Sequence, residues 1–462
     1  MRYAMTALSI DRTKIAASGG KTLVVGLGKT GLSCARYLVA QGISVAVTDS
    51  REAPPGLDRL REELPDLAVF LGGFRPEVFA AAERIILSPG VPLSEPLVRQ
   101  ALGRGIPVLG DIELFAHVVR EPVAAITGSN GKSTVTSLLG EMTRKAGLPV
   151  RLGGNLGEPA LDLLDPEARL YLLELSSFQL ETTSSLRARA AAVLNVSADH
   201  LDRYPDVDAY AAAKARIYRG AELAVVNRDD PIVSAMVPAG ARQIGFTLGQ
   251  PAPGDFGIRQ RAGEPWLCRG RIFLLPAHAL RIPGRHNLAN ALAALALGEA
   301  CDLPEVAMLE GLRGFRGLPH RTQLVRELDG VRWYNDSKGT NPGAAIAALE
   351  GLCPARGATR TVLIAGGDGK GADFSALAPA VARTARAVVL IGRDAPLIEA
   401  ALRGTVPLFR AADMQEAVAL AARQVRPGDR VLLSPACASL DMFRNFEHRG
   451  ETFVAAVQGL GE

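Results

Sequence analysis

Cysteine is sparse in this 462-residue chain. Its five residues (Cys34, Cys268, Cys301, Cys353, Cys437) are odd in number, scattered, and form no Cys-x-x-Cys pair. That excludes a disulfide framework and a thiolate zinc site, and suits reduced thiols in a cytoplasm. Long apolar runs are missing as well, so no membrane-spanning helix is expected. Residues 1–20 interleave Arg2, Asp11, Arg12 and Lys14 with short apolar pieces. They lack the apolar core of a signal peptide and read as a ragged cytoplasmic N-terminus. Charge of one sign is nearly absent in sum: the net value is +4, which makes no case for nucleic acid. Gly-x-Ser-x-Gly and His-Glu-x-x-His do not occur, which removes the common serine-hydrolase and zinc-protease routes.

What remains is a soluble globular composition, 48% hydrophobic, 22% charged and 5% aromatic, in a length that suggests about three domains. The most informative stretch lies at residues 122–147. An apolar strand, Val123-Ala124-Ala125-Ile126, runs into Thr127-Gly128-Ser129-Asn130-Gly131-Lys132-Ser133-Thr134 and then a helical pattern. Two glycines let the backbone turn its amides toward phosphate oxygens. The helix start adds unpaired N–H groups and the positive end of a dipole. Lys132 supplies a point charge for the β- and γ-phosphates, and Ser133 or Thr134 a hydroxyl for Mg²⁺. Ile126 stands where the longer and commoner phosphate loop has its first glycine, so this loop is the shorter Gly-x-x-Gly-Lys-Ser-Thr.

A first domain is expected over residues 1–111. Lys21 to Val25 read as a strand, Gly26-Leu27-Gly28-Lys29-Thr30-Gly31 as a second glycine loop, and a further strand ends at Asp49. Alone this is a dinucleotide fingerprint, and an NAD-dependent oxidoreductase is the rival reading. The same loop physics serves any diphosphate. Ile85-Ile86-Leu87 then runs into Ser88-Pro89-Gly90 beside the presumed crevice.

The central domain is expected over residues 112–317. Glu174 ends a buried strand and is well placed for Mg²⁺. Asn155, in a glycine-rich loop, reads as a turn residue. His200 lies between Asp199 and Asp202 at another strand end. Lys214 follows Tyr210 by one helical turn and, taken by itself, is an ordinary solvated lysine. Asn287 and Asn290 open an alanine-rich helix; the bland reading of Asn287 is an N-cap, the functional one an adenine contact. Residues 241–283 hold short β-like pieces whose order is open.

The third domain, residues 318–462, starts with a Leu318-Pro319-His320-Arg321 turn and a hairpin signal at Asp329-Gly330. Strands alternating with helices then imply another open, mostly parallel sheet. Three doubly wound α/β units are therefore expected, the central one a phosphate-loop ATPase domain.

At this point the chain resembles the Mur ligases, and within them the D-glutamate-adding branch. The resemblance begins near residue 20 and runs through GLGKTGLS, LSPGVP, TGSNGKST, LELSSFQLE, DHLDRY, HNLAN, GLPHR, NDSKGTN, GGDGK and SPACASLDMFRNFEHRG. Sister ligases differ where Asn335 to Asn341 stand, and the DNPR-type motif of the diaminopimelate-adding sister is missing here. Ser129, Gly339 and Ser50 are mild departures. The resemblance implies three α/β domains and an ATP-dependent ligation of D-glutamate to UDP-N-acetylmuramoyl-L-alanine, by a cytoplasmic monomer.

It also implies roles for named residues. Lys29, Thr30, Asp49, Ser50, Arg51 and Gly90 would grip the UDP end, with Asn155 and His200 on the muramoyl substrate. Gly128, Ser129, Asn130, Gly131, Lys132, Ser133 and Thr134 would hold ATP phosphates; Asn287, Asn290, Arg321 and Asp336 would hold adenosine and phosphate. Two Mg²⁺ would be bound, one by Ser133 or Thr134 with Glu174, the other by His200 and a carbamylated Lys214. Lys338, Thr340, Ser439, Leu440 and Phe446 would seat D-glutamate, and Lys370 would lie near the transferred phosphate. Lys132, His200, Lys214 and Lys370 make up the implied catalytic set. A sister ligase and a folylpolyglutamate-synthetase-like ligase are the nearby alternatives.

Overall fold

A computed structural model describes residues 20–352 and 359–461. The N-terminal expectation for residues 1–19, and Cys353, lie outside them. Among the described residues three sheets follow one another along the chain. The first has order β3-β2-β1-β4-β5, with β1 Thr22–Val25, β2 Val45–Thr48, β3 Ala68–Phe70, β4 Arg84–Leu87 and β5 Val108–Leu109. All its pairings are parallel. The order reverses between β1 and β4, so the loops after these two strands flank a crevice at the sheet's carboxyl edge.

The second sheet has nine strands. They are β6 Val123–Thr127, β7 Val150–Gly154, β8 Leu170–Glu174, β9 Ala190–Val193, β10 Ala224–Asn227, β11 Gln243–Phe246, β12 Phe256–Arg261, β13 Glu264–Arg269 and β14 Ile272–Pro276. The order is β14-β13-β12-β11-β10-β9-β6-β8-β7. Pairing is parallel from β7 to β12 and antiparallel across β12, β13 and β14. This orders the unplaced pieces of residues 241–283: they extend the sheet rather than forming a separate layer. Every residue of β6 and β8 is buried, as expected for parallel strands covered on both faces.

The third sheet has order β15-β16-β20-β17-β18-β19. Its strands are β15 Gln323–Leu328, β16 Val331–Asn335, β17 Thr361–Gly366, β18 Ala385–Ile391, β19 Leu408–Arg410 and β20 Arg430–Leu433. Only the β15–β16 hairpin is antiparallel. Asp329 and Gly330 both take positive φ, the backbone of the hairpin turn their sequence announces.

The first and second sheets share a core. Val24 and Leu38 belong to the same buried cluster as Ile112 and Phe115 of the connecting helix Asp111–Val118, and as Tyr171 and Val193 of the central sheet. The Lys132–Lys145 helix shows why local sequence suffices at its ends. Gly131 enters it at φ 87, Arg144 and Lys145 sit in its last turn, and Gly147 leaves at φ 67.

One expectation needs correction. Gly284, not Asn287, caps the Arg285–Ala300 helix. Asn287 lies inside the first turn, where its amide bonds the Pro283 carbonyl at 2.7 Å. The helix at Val207 is α-helical only to Ala215, then tightens into a 3₁₀ turn over Arg216–Tyr218.

Candidate active site

The central phosphate-type loop is held in shape by the protein's own hydrogen bonds. Ser129 N–H donates to the Asn195 carbonyl at 2.9 Å, and Asn130 N–H to Asn195 Oδ1 at 2.8 Å. The Asn195 amide returns a bond to the Asn130 carbonyl at 3.0 Å. These bonds tie the turn after β6 to the segment after β9, its neighbour in the sheet. Lys132 folds over the loop, donating to the Gly128 and Ser129 carbonyls at 2.7 and 2.9 Å.

Lys214 is not a solvated lysine. It is 1% exposed, with Nζ 3.0 Å from the same Gly128 carbonyl and 4.4 Å from the Tyr210 ring centre. Asp206 caps its helix, and the helix presents Tyr210 and Lys214 together toward the loop. Burial, then the Lys132 charge, hold the Lys214 amine well below the ordinary lysine range. Burial also lowers Lys132, with Glu174 and Asp199 working against the shift. Helical spacing placed Lys214 and Tyr210 on one face. Which way that face points is set by packing against the sheet.

Glu174, at the tip of β8, is 3% exposed. Its Oε1 accepts from the Asn155 amide at 2.7 Å, so Asn155 is more than a turn residue. Its Oε2 is buried and has no hydrogen-bond partner among the described residues. A buried carboxylate oxygen without a donor is costly unless a cation meets it. Among the described residues no three His, Cys, Asp or Glu side chains cluster as a metal site. One carboxylate with neighbouring hydroxyls is the sparse donor set that suits Mg²⁺ completed by phosphate oxygens and water.

The third sheet's loops reach into the same place. Arg321 donates to Ser133 Oγ at 2.7 Å. Asp336, after β16, accepts from Ser434 Oγ at 2.7 Å and Thr322 N–H at 3.0 Å; burial pushes its carboxyl up to about 6. Asn290 donates to Asn287 Oδ1 at 3.1 Å. Asn130, Thr134, Asn287, Asn290, Arg321 and Asp336 line one cavity of about 300 Å³.

Beside it, Asp199 receives two donors from the third sheet's side: Lys370 Nζ at 2.6 Å and the Asn341 amide at 2.9 Å. Burial alone would raise the Asp199 pKa, but Lys370 and His200 bring it below the usual carboxylate value. His200 takes φ 56 and lies edge-on to Phe178, ring centres 4.9 Å apart. Burial lowers its pKa. Thr340 shares a small cleft with Asp199, His200 and Lys370.

Lys338 Nζ stands 3.6 Å from the Phe446 ring centre; burial, then nearby Arg321, lower its ammonium to about 8. Ser439 is buried, whereas the Leu440 side chain is exposed. Arg449 underlies this corner. Fully buried, it donates to the Ser337 carbonyl at 2.8 Å and the Cys437 carbonyl at 3.1 Å, pinning the loops after β16 and β20 together.

The first glycine loop forms a separate site. Asp49 accepts from Leu27 N–H at 2.7 Å and from Arg51 Nε and Nη2 at 2.9 and 2.7 Å. Both its oxygens are engaged, so it shapes the loop and holds Arg51. The Arg51 guanidinium stays half exposed; Lys29, Ser50 and Gly90 are exposed and Thr30 is half-buried. Ser88 Oγ donates to the Gly26 carbonyl at 2.7 Å.

Sequence reading missed Asp199, Asn195, Asn341 and Arg449 as parts of the constellation. Asp199 and Asn341 sit inside conspicuous polar strand-end segments, which was the available signal. Nothing local marks Arg449 as buried.

Three family models match in order: the Mur ligase MurD-like N-terminal domain over residues 20–110, the Mur ligase middle domain over 126–298, and the Mur ligase glutamate ligase domain over 320–437. Two relatives are named UDP-N-acetylmuramoylalanine--D-glutamate ligase. That of Nitrosococcus oceani is 58% identical over 438 residues, covering 95% of this chain and 96% of its own. That of Marinobacter nauticus is 54% identical over 446 residues, covering 96% and 100%. Among solved structures, the UDP-N-acetylmuramate-alanine ligase MurC from Thermotoga maritima aligns at TM-score 0.61 and 18% identity, covering 95% of this chain and 99% of its own. MurF from Acinetobacter baumannii aligns at 0.58 and 17%, covering 96% and 91%. The structural likeness concerns the fold; the sequence matches carry the assignment. With three matching models in register and more than half the residues shared over nearly its whole length, the chain belongs to the Mur ligase family.

Proposed function

We propose that the chain joins D-glutamate to the L-alanyl carboxylate of UDP-N-acetylmuramoyl-L-alanine at the expense of ATP, a step in peptidoglycan precursor synthesis. The observation that carries this reading is the convergence of two sheets on one cavity, with Arg321 on Ser133 and Lys370 on Asp199. A carboxylate does not accept an amine at neutral pH, because hydroxide is too poor a leaving group. In the proposed route the carboxylate attacks the γ-phosphorus, giving an acyl phosphate and ADP. The D-glutamate amine then attacks the acyl carbon, and the tetrahedral intermediate expels phosphate.

Lys132 exchanges its two loop carbonyls for β- and γ-phosphate oxygens, with loop amides 129–131 and the helix start beneath them. Asn287, Asn290, Arg321 and Asp336 hold adenosine and phosphate. Bound Mg²⁺, two ions in this reading, supplies positive charge to the phosphoryl oxygens. Ser133 or Thr134 with Glu174 would hold one; His200 and a carbamylated Lys214 the other. The unpartnered Glu174 Oε2 supports the first. The depressed Lys214 pKa supports the second, since the free amine is the form that adds CO₂ and releases a proton. Lys338, Thr340, Ser439, Leu440 and Phe446 seat D-glutamate, and Lys370 moves from Asp199 toward the transferred phosphate. Lys29, Thr30, Asp49, Ser50, Arg51 and Gly90 take the UDP end, and Asn155 with His200 the muramoyl part.

The domain limits (1–111, 112–317 and 318–462), a monomeric state and a cytoplasmic location belong to the same proposal. Among the described residues no helix is long and apolar enough to cross a membrane. ADP release with and without each substrate tests the reading. Release that needs both UDP-N-acetylmuramoyl-L-alanine and D-glutamate is expected. ATPase activity indifferent to both, or nicotinamide-dependent absorbance changes without ADP, would overturn it.

A further inference from the structure

The substrate of the proposed reaction is long. Its uridine diphosphate belongs on the first sheet's loops, and its reacting carboxylate must arrive at the central loop. Something has to set the distance between the two. Helix Lys29–Ala40 meets the central unit through Ser33 and Arg36, each 2.7 Å from Asp162. On the side of the loop after β4 stands Arg203.

Arg203 lies one turn after His200, its N–H donating to the His200 carbonyl at 3.0 Å. Its guanidinium reaches out of the central unit. Nη1 donates to the Pro89 carbonyl at 2.6 Å, and Nη2 to Glu181 Oε2 at 2.9 Å. The planar group also lies 3.9 Å from the centre of the Phe178 ring. Phe178 is the ring that meets His200 edge-on. On the other side, Pro89 follows Ser88, whose hydroxyl is bonded to the Gly26 carbonyl of the first glycine loop. A continuous set of contacts thus runs from that loop through Ser88-Pro89, Arg203 and Phe178 to His200. The Arg203 and Glu181 side chains are only 12% and 15% exposed, so water competes little for these bonds.

We infer that Arg203 is a positioning residue that sets the first domain's substrate loop against the phosphoryl-transfer centre, so that uridine diphosphate binding delivers the alanyl carboxylate in register. Arginine suits the task because one planar fork serves a carbonyl, a carboxylate and an aromatic face at once. Lysine keeps the charge but carries its donors on one nitrogen, without the planar fork. The inference rests on the proposed function, because it needs a substrate held at both ends.

Two substrates separate positioning from plain structure: UDP-N-acetylmuramoyl-L-alanine, and the same alanylated sugar without its uridine diphosphate. Wild-type turnover of the first is measured at the outset. Its absence overturns the proposed function and this inference with it. Given turnover, Arg203→Lys is expected to lower kcat/KM for the UDP substrate by about tenfold to a hundredfold, the scale of an ångström of misplacement. The loss for the UDP-free sugar is expected to be about twofold at most, and ATP binding and KM for D-glutamate to stay within about twofold. The advantage conferred by the uridine diphosphate therefore shrinks. Glu181→Gln keeps an acceptor for Arg203 but removes the charge that strengthens the bond, and is expected to shift the same ratio less. It also provides the reading should Arg203→Lys fail to fold. Equal losses on both substrates, or none on either, in whichever variant folds would overturn the inference while leaving the ligase reading intact.

Discussion

The two glycine loops invite comparison, because their backbones obey one plan. Each follows the first strand of its sheet, turns on glycines and opens a helix. In the first, a Cβ on Gly31 would lie 1.9 Å from the Gly26 carbonyl oxygen; in the second, one on Gly131 would lie 2.4 Å from Asn290 Oδ1. The side chains that neighbouring strands bring to them differ. The first loop receives Asp49 and Arg51, paired with each other, and Ser88. The second receives Glu174 with an unsatisfied oxygen, the buried Lys214 on the Gly128 carbonyl that the loop's own half-buried Lys132 also meets, and Arg321 from the third sheet. A glycine loop therefore offers phosphate a place to sit; what happens to the phosphate is decided by the adjoining strands.

The comparison is sharpest at lysine. Lys132→Ala is expected to cut ADP formation by about a thousandfold without moving the thermal unfolding midpoint. Lys29→Ala, in the other loop, should raise KM for the UDP substrate by about tenfold at most. Equal losses of turnover would erase the distinction between the loops. Next in size, Glu174→Gln keeps an acceptor for Asn155 but removes the charge. The Mg²⁺ concentration for half-maximal rate should rise by about a hundredfold, and an unchanged Mg²⁺ curve would remove Glu174 from the proposed metal site.

Arg51→Ala should weaken UDP-substrate binding by about tenfold and leave calorimetric ATP binding alone. A loss of ATP affinity would show that the loops are not separate sites. A further effect is in pH. Asp49 is held below the usual carboxylate range: burial pushes it up, but bonds from Arg51 and the Leu27 N–H more than offset this. It stays ionised through neutral and alkaline pH, so UDP-substrate binding should be flat there. Lys338, lowered to about 8, is a cation below that pH and loses its proton above it. The kcat/KM for D-glutamate should fall as pH rises through about 8, up to tenfold per unit for a single group, and Lys338→Arg should move that limb upward.

Much of this was legible in the chain itself. Strand, glycine loop and helix follow from apolar runs punctuated by glycine, which act locally, and the Asp329-Gly330 hairpin is equally local. The strand-end positions of Glu174, His200 and Asp336 follow from the rule that parallel α/β sheets present their carboxyl-edge loops together. Burial was not legible. Lys214 and Arg449 are long cationic side chains, which are exposed far more often than buried, and no neighbour in sequence marks them as exceptions. The pieces between residues 241 and 283 stayed unordered for a related reason: short strands pair by tertiary packing, and their own residues do not name the partner.

What the sequence by itself determined is the inventory: three α/β units, two glycine loops and the polar residues at their strand ends, because these depend on backbone freedom and hydrophobic period over a few residues. Only the tertiary structure decided the pairings across sheets. It put Lys370 and Asn341 on Asp199, Arg321 on Ser133, Arg203 on Pro89, and Lys214 on the Gly128 carbonyl. Those contacts join residues far apart along the chain, and the desolvation that gives them strength exists only once the sheets have closed around them.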